Sequence, residues 1–566
     1  MILIKSKVIT KITIAYLSMN ENSRLRVKVV YFRTLFSQSG ASLSMGSLAA
    51  FLRNKGFSVD ICFLEKGNFH SFEKMLEKFS EEKIIVIAKP NFKDCQLLSS
   101  LLKTAKNSGK IEKVFFCGPF AALNGMSIVE INTWLDGVII DQIECVAWLL
   151  LITLNEAKPI KECRGGIWRE GNIISEYKQC DSYITLDELP FPARDIEALE
   201  RGSFINIEAS RGCIYNCSFC HVPLMGPQKE GMTTLDVRDP IKVVDEIEFL
   251  NKNLGKKLFI FNDSVFWAHA KDDERILKFC LEIKKRNLDI HMYVYLRCNP
   301  FINDKVLHAL ADAGLVRVFL GVENASASSQ MIFRKPIRND AFVIIKEKLD
   351  KLNINIHIGY IVFEPFSTLN DIQINIDYLY QIGKLFRLGT ILEPVRVVPK
   401  SYIHKQLIDR GLLDKNIDYR ELTYGYRFLY PEVEKLLNDI KNIFSGDFGS
   451  IAYEFEYYCT TMSVLDCLIR RTCTAFPTRN ISSAHKCFDD IRDEMLEDAY
   501  RYFSDLLFKT KNKMSQDETI KKEFVKSFSE KFFKLKIEYF DFRNKLAQSG
   551  RGNVLLEVYL GLERIY

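Results

Sequence analysis

Twice along this 566-residue chain, short β-branched or aromatic runs alternate with amphipathic stretches, and that repeated rhythm leaves few folds open. In the first series VKVVYF (27 to 32), SVDICFL (58 to 64), KIIVIAK (83 to 89), KVFFCG (113 to 118) and GVIID (137 to 141) read as strands. Between them SMGSLAAFLRNKG (44 to 56) reads as a helix ending on a stop glycine. Residues 27–155 are therefore expected to form an α/β, doubly wound Rossmann-like domain whose ligands sit at the carboxyl ends of its strands. Residues 156–200 are less regular, and Pro190 and Pro192 in LDELPFPARD (186 to 195) predict an extended connector. The second series comprises FINIEAS (204 to 210), KKLFIFND (256 to 263), HMYVYLR (291 to 297), LVRVFLGVE (315 to 323), INIHIGYIVFE (354 to 364) and GTILEPVRVV (389 to 398). Six strands with helical crossovers predict a partial (β/α)6 TIM-type barrel over 201–419, with its chemistry at the strand carboxyl ends. Residues 420–566 carry apolar residues at helical spacing and are expected to form an α-helical C-terminal domain, while 1–26 read as an N-terminal extension.

Composition narrows the setting. Hydrophobic residues make up 47% and charged residues 27%, values of a globular rather than disordered chain, and a net charge of +6 over this length does not argue for nucleic acid. The opening MILIKSKVITKITIAYLSMN interrupts its apolar residues with lysines and shows no small-residue cleavage site. The longest apolar stretch, VAWLLLITL, is well short of the ~20 residues that cross a bilayer. A cytoplasmic protein without a membrane partner is expected. The Lys- and Phe-rich segment 520 to 546 fits either a helix lying on a membrane surface or one packing its aromatic face against the protein.

Most of the fifteen cysteines are scattered, but SRGCIYNCSFCH places Cys213, Cys217 and Cys220 within eight positions. Three soft thiolates on one loop can hold three corners of an iron–sulfur cubane and leave one iron open to a ligand. The alternatives are zinc, which wants four closed ligands, and three inert core thiols. His221 adjoins Cys220, and neighbouring side chains rarely converge on one ion.

Cys213, Cys217 and Cys220, with Phe219 before the last cysteine, resemble the C-x3-C-x-Φ-C signature of the radical S-adenosylmethionine (SAM) superfamily. The resemblance implies a [4Fe-4S] cluster whose open iron is chelated by the methionine part of SAM. It also implies one-electron cleavage to methionine and a 5'-deoxyadenosyl radical, and an electron donor such as flavodoxin or ferredoxin. By the same resemblance Asn262, Asp263 and Ser264 are candidates for the methionine amino group, Arg297 for its carboxylate, Glu323 for ribose or amino-group contacts, and Gly359 for packing against adenine. Asn324 stands where the family usually has Ser, and FNDS where it often has Gly-Gly-Glu.

A doubly wound domain followed by Leu189, Pro190, Pro192, Arg194 and Asp195 resembles the cobalamin (B12)-binding branch of that superfamily. Cobalamin is then an expected cofactor, with Asn91, Gly118, Pro119 and Glu144 as candidates to face the corrin. The only histidine between 27 and 155, His70, lies in no Asp-x-His-x-x-Gly motif. The branch implies methyl transfer to an unactivated carbon of a peptide or natural-product-type small molecule. Rearrangement or ring closure, methylthio transfer and a non-catalytic cobalamin- or metal-binding regulator are the alternatives. Cys459, Cys467, Cys473 and Cys487 could serve a second cluster or be buried thiols.

Overall fold

The computed structural model describes residues 25–33, 40–65, 84–90, 95–195, 204–225, 235–299, 302–338, 340–418, 423–472, 478–515 and 517–548. Asn91, His70 and Cys473 lie outside them. The chain divides into two compact units, Met1–Asp195 and Ile196–Tyr566.

In the first unit parallel strands β1 (Arg26–Arg33), β2 (Ser58–Glu65), β3 (Ile84–Lys89), β4 (Lys113–Phe116) and β5 (Gly137–Ile139) are ordered 2-1-3-4-5. Helices α1 (Gly40–Asn54), α2 (Cys95–Asn107), α3 (Gly118–Leu123), α4 (Gly125–Ile131) and α5 (Ile143–Asn155) connect or follow them. Strands such as β3, buried at five of six positions, are apolar on both faces because helices cover both. The order reverses between β1 and β3, which creates the crevice where such sheets bind ligands.

The stretch expected to be a plain connector adds to this sheet. β6 (Gly166–Glu170) pairs antiparallel with β5, and β7 (Ile173–Ile174) pairs with β6. Trp168, 1% exposed, fills the edge against Phe115, and a Cβ on Gly137 would lie 2.6 Å from its ring. The Pro-containing segment is extended as predicted and is laid along α1. Ala193 N–H donates to Gly46 O (2.9 Å), and Arg53 pairs with Asp195 (3.2 Å).

The second unit holds five parallel strands, β8 (Phe204–Ile207), β11 (Leu258–Phe261), β12 (His291–Arg297), β13 (Leu315–Glu323) and β14 (Asn355–Tyr360), side by side in chain order. The short strands β9 (Ser210–Gly212) and β10 (Leu235–Val237) pair with each other beside the cysteine loop. Helices α6 (Pro240–Leu254), α7 (Asp273–Lys285), α8 (Asp304–Asp312), α9 (Ala341–Lys351) and α10 (Leu369–Gln381) alternate with the main strands. The expected sixth strand does not form: Leu388–Leu392 is helical, and the following residues make single bonds, Val395 N–H to Phe363 O and Tyr424 N–H to Val397 O, instead of a ladder. Pro394 supplies no N–H to a ladder, which favours this outcome.

After the hairpin β15 (Leu413–Asp418) and β16 (Thr423–Tyr426) come α11 (Pro431–Ile443), α12 (Gly446–Thr472), α13 (Thr478–Lys511) and α14 (Glu518–Gln548). They share one continuous core with the barrel. In α14, Phe524, Phe528, Phe532, Leu535, Tyr539, Phe542 and Leu546 recur every three or four residues and are buried. That is the packing alternative of the two read from the sequence. Among the described residues no helix is long and apolar enough to cross a membrane.

Candidate radical SAM site

Pleating gives the barrel sheet two unlike faces. One carries Ile205, Ile207, Phe259, Phe261, Met292, Val294, Leu296, Val318, Leu320 and Ile358, all buried apolar residues. The other is polar and aromatic. Register aligns Asn206, Ile260, Tyr293, Arg317 and Asn355 in one row, then Tyr295, Phe319 and His357, then Arg297, Gly321 and Gly359 at the carboxyl ends. At the amino-terminal ends α12 meets this sheet, with Asn355 Nδ2 donating to Ser463 Oγ (2.8 Å) and Arg471 donating to Leu315 O.

The cysteine loop leaves β8 through a fixed turn. Asp263, 1% exposed, accepts from Ala209 N–H (3.0 Å) and from Ser210 Oγ (2.5 Å), and burial pushes its carboxyl up to about 7. Further on, Ser218 N–H donates to Phe333 O (3.0 Å), Ser218 Oγ donates to Ile332 O (2.7 Å), and Ile403 N–H donates to Ser218 O (3.2 Å). Phe219 packs edge-on against Phe333, 4.9 Å between ring centres. Both ends of the loop are thus held before any ligand binds.

Cys213, Cys217 and Cys220 are unbridged and partly buried. Burial raises the Cys213 thiol, while the Tyr215 N–H and the cations Arg297 and Lys335 oppose that rise. Burial likewise pushes Cys220 up to about 11, opposed by the Val222 N–H, with Cys217, Cys213 and Glu323 adding to the rise. Backbone donors aimed at the sulfurs and two cations beside them suit thiolates that carry iron. Among the described residues no three His, Cys, Asp or Glu side chains converge on a single-ion position. A cubane spreads its thiolates over separate irons and does not require such convergence.

Opposite the loop the carboxyl ends of the strands present charge. Arg297 lies over the Tyr215 ring at 4.1 Å, and Tyr215 Oη donates to Ala268 O (2.8 Å). Glu323 has φ +65° next to a register shift between Gly321 and Glu323, so a bulge re-aims its carboxylate. Its Oε1 accepts from Lys335 Nζ (2.6 Å), both side chains being nearly buried. Gly321 makes the pair possible: a Cβ there would stand 2.5 Å from Lys335 Nζ and 2.6 Å from Glu323 Oε1.

Several candidates are placed differently from the expectation. Asp263 has both carboxylate oxygens engaged in holding the loop, so Asn262, partly exposed, and Ser264, exposed, are the polar atoms left toward a ligand at that strand end. Asn324, 1% exposed, donates to Ile361 O and accepts from Ser326 N–H, a turn-forming role. Gly359 is required by the fold whatever packs above it, because a Cβ would come within 2.4 Å of the Phe319 ring. Lys335 escaped the sequence reading because FRKP carries no metal or phosphate pattern and only the fold brings it to Glu323.

In the first unit Gly118 begins α3 at the carboxyl end of β4 with φ +86°, followed by Pro119, and the Lys89 side chain crosses it. Lys89 Nζ donates to Ser44 Oγ (2.6 Å). Glu144, in the first turn of α5, is fully buried and accepts from Ser47 Oγ (2.9 Å) on α1.

Residues 207–377 match the radical SAM superfamily. The chain therefore carries a radical SAM domain over this stretch. Its radical SAM domain thus contains Cys213, Cys217, Cys220, Arg297, Glu323 and Lys335. An uncharacterised methyltransferase of Pyrococcus horikoshii is 23% identical over 393 residues, covering 68% of this chain and 82% of its own. The anaerobic magnesium-protoporphyrin IX monomethyl ester cyclase of Rubrivivax gelatinosus is 24% identical over 336 residues, covering 53% of this chain and 56% of its own. The solved structure of the cobalamin-dependent radical SAM enzyme OxsB with aqua-cobalamin and SAM superposes with a TM-score of 0.67 at 16% identity, covering 96% of this chain and 84% of that one. Such identity carries the fold.

Proposed function

We propose that the protein is a cobalamin-dependent radical SAM methyltransferase acting on an unactivated carbon of a peptide or natural-product-type substrate. The observation that carries the SAM part is the pairing of a pre-anchored three-thiol loop with Arg297 and the Glu323–Lys335 pair on the polar face of the sheet. The three thiolates would hold a [4Fe-4S] cluster, which when bound supplies the electron that splits SAM. Arg297 and Lys335 would be the cations for the methionine carboxylate, and Asn262 and Ser264 would supply oxygens for its ammonium. Engaged with Lys335, the Glu323 carboxylate keeps one oxygen for a ribose or amino donor. The aromatic row Tyr295, Phe319 and His357 lies one step down the same face, two residues before Arg297, Gly321 and Gly359, with its rings in mutual contact.

Support for cobalamin comes from the 2-1-3-4-5 sheet and from the fold shared with OxsB. The Gly118–Pro119 turn at the carboxyl end of β4 is in a position suited to line the ligand edge. Residues 71–195 contain no histidine, so none of them could supply an imidazole to a bound cobalamin. Methyl transfer is favoured by the Pyrococcus relative, and ring closure by the Rubrivivax cyclase.

Anaerobic reconstitution with iron, sulfide and hydroxocobalamin, followed by mass spectrometry, separates these readings. The methyltransferase yields 5'-deoxyadenosine and S-adenosylhomocysteine together. Deoxyadenosine alone favours ring closure or rearrangement. Neither product, with the cluster loaded, ends the enzymatic reading.

A further inference from the structure

The first unit gathers a set of thiols of its own. Cys145 lies in the first turn of α5, Cys163 precedes β6, and Cys180 belongs to a strap, residues 177–184, that returns beside the end of β5. The strap is pinned along its length. Tyr177 Oη and Cys180 N–H each donate to Asp141 (2.7 Å), Gly165 N–H donates to Lys178 O (2.7 Å), and the Gln142 amide holds Ile184 through both its atoms (2.6 and 2.8 Å).

Cys180 is thereby pressed toward α5. A Cβ on Gly165, whose φ is +94°, would lie 3.1 Å from Cys180 Cβ and 2.4 Å from Val146 Cγ2, the residue after Cys145. The Cys145 thiol lies 3.6 Å from Ser182 O, two residues beyond Cys180 on the strap. A hydrogen bond with Cys145 and the Ser182 N–H hold Cys180 below the ordinary thiol range, against burial, Asp141 and Asp181. The same hydrogen bond and burial raise Cys145, and burial pushes Cys163 up to about 12. Arg164 pairs with Asp181 on the strap (3.2 Å). One partly exposed sulfur that favours the thiolate and one buried protonated partner are what stepwise thiol exchange requires.

We propose that Cys180 and Cys145 form a thiol-exchange site for small disulfides, with Cys180 the attacking sulfur and Cys145 the resolving one. The Cys180 thiolate attacks one sulfur of RSSR, forming Cys180–S–SR and releasing RS⁻. Cys145 then loses its proton to solvent and attacks the Cys180 sulfur, breaking the mixed disulfide and releasing a second RS⁻. Two thiols are oxidised, one RSSR is reduced to two RSH, and a disulfide now fastens the strap to α5.

The test uses the full-length, cluster-loaded protein under anaerobic conditions, with oxidised glutathione as probe, alkylating quench and peptide mapping. A Cys145–Cys180 cross-link is expected in the unmodified protein. Cys145→Ser should stop at glutathionylated Cys180, and Cys180→Ser should leave Cys145 unmodified. Independently of any variant, iodoacetamide at neutral pH should alkylate Cys180 about tenfold faster than the exposed Cys487. Reaction of Cys180 no faster than Cys487, a cross-link to Cys163 instead of Cys145, or a persistent mixed disulfide at Cys180 with Cys145 intact would each overturn the assignment.

Discussion

Single residues decide whether the cysteine loop is ready for its cluster. Replacing any one of Cys213, Cys217 or Cys220 by Ala leaves two thiolates, and bound iron after anaerobic reconstitution should fall severalfold while the fold survives. These side chains are only partly buried, so little core packing is lost. Asp263 offers a test by pH. Its folded-state pKa is raised above the unfolded value, so its protonated form is favoured by folding; that contribution is fully present below about pH 4 and is lost as pH rises through about 7. Asp263→Asn should keep the turn, with its oxygen accepting from Ala209 N–H and its amide donating to Ser210 Oγ, which can turn toward Val265 O. Chemical unfolding of the two proteins should therefore diverge between pH 4 and 7, the variant gaining up to about 1.4 kcal/mol per pH unit. Parallel curves would show that the carboxylate does not titrate there.

At the scale of elements, sequence alone marked β11 to β14 as strands, and pleating then sorts their residues onto an apolar and a polar face. It could not show that β13 bulges after Gly321, because a bulge depends on the register of two strands and not on either alone. The sixth strand failed for a related reason: GTILEPVRVV has strand-like composition, but a strand needs an edge able to accept its whole ladder. In the helical region, periodic aromatics on α14 marked a buried stripe without naming its partner. The structure places Phe528 against Phe448 and Phe455 at 5.5 and 5.2 Å between ring centres. Phe528→Ala should destabilise the second unit by about 3–5 kcal/mol, read as a lowered denaturation midpoint. An unchanged midpoint would mean that the helix is not part of the cooperative core.

At the scale of the whole molecule the chain divides into two compact units. Met1–Asp195 has its own core around Val29, Leu48, Ile87, Phe115 and Leu150, and its last residues are laid along α1. Expressed alone it should unfold cooperatively. A fragment of 196–430 should not, since removing α11 to α14 strips one side from a core shared with the barrel strands and leaves Asn355 and Arg387 without Ser463 and Glu456. Circular dichroism melts of the two fragments would decide; a cooperative transition in the second would show that the helices are dispensable to the barrel.

Local chemistry along the chain was enough to fix the two α/β series, the three-thiol loop and the family it signals, because strand periodicity and cysteine spacing are properties of adjacent residues. Tertiary structure alone decided that Asp263 braces the loop, that Glu144 is buried against Ser47, that Lys335 joins Glu323 and that Cys180 meets Cys145. Each of these depends on a partner far away in sequence, and a chain read in one dimension carries no distances between such partners.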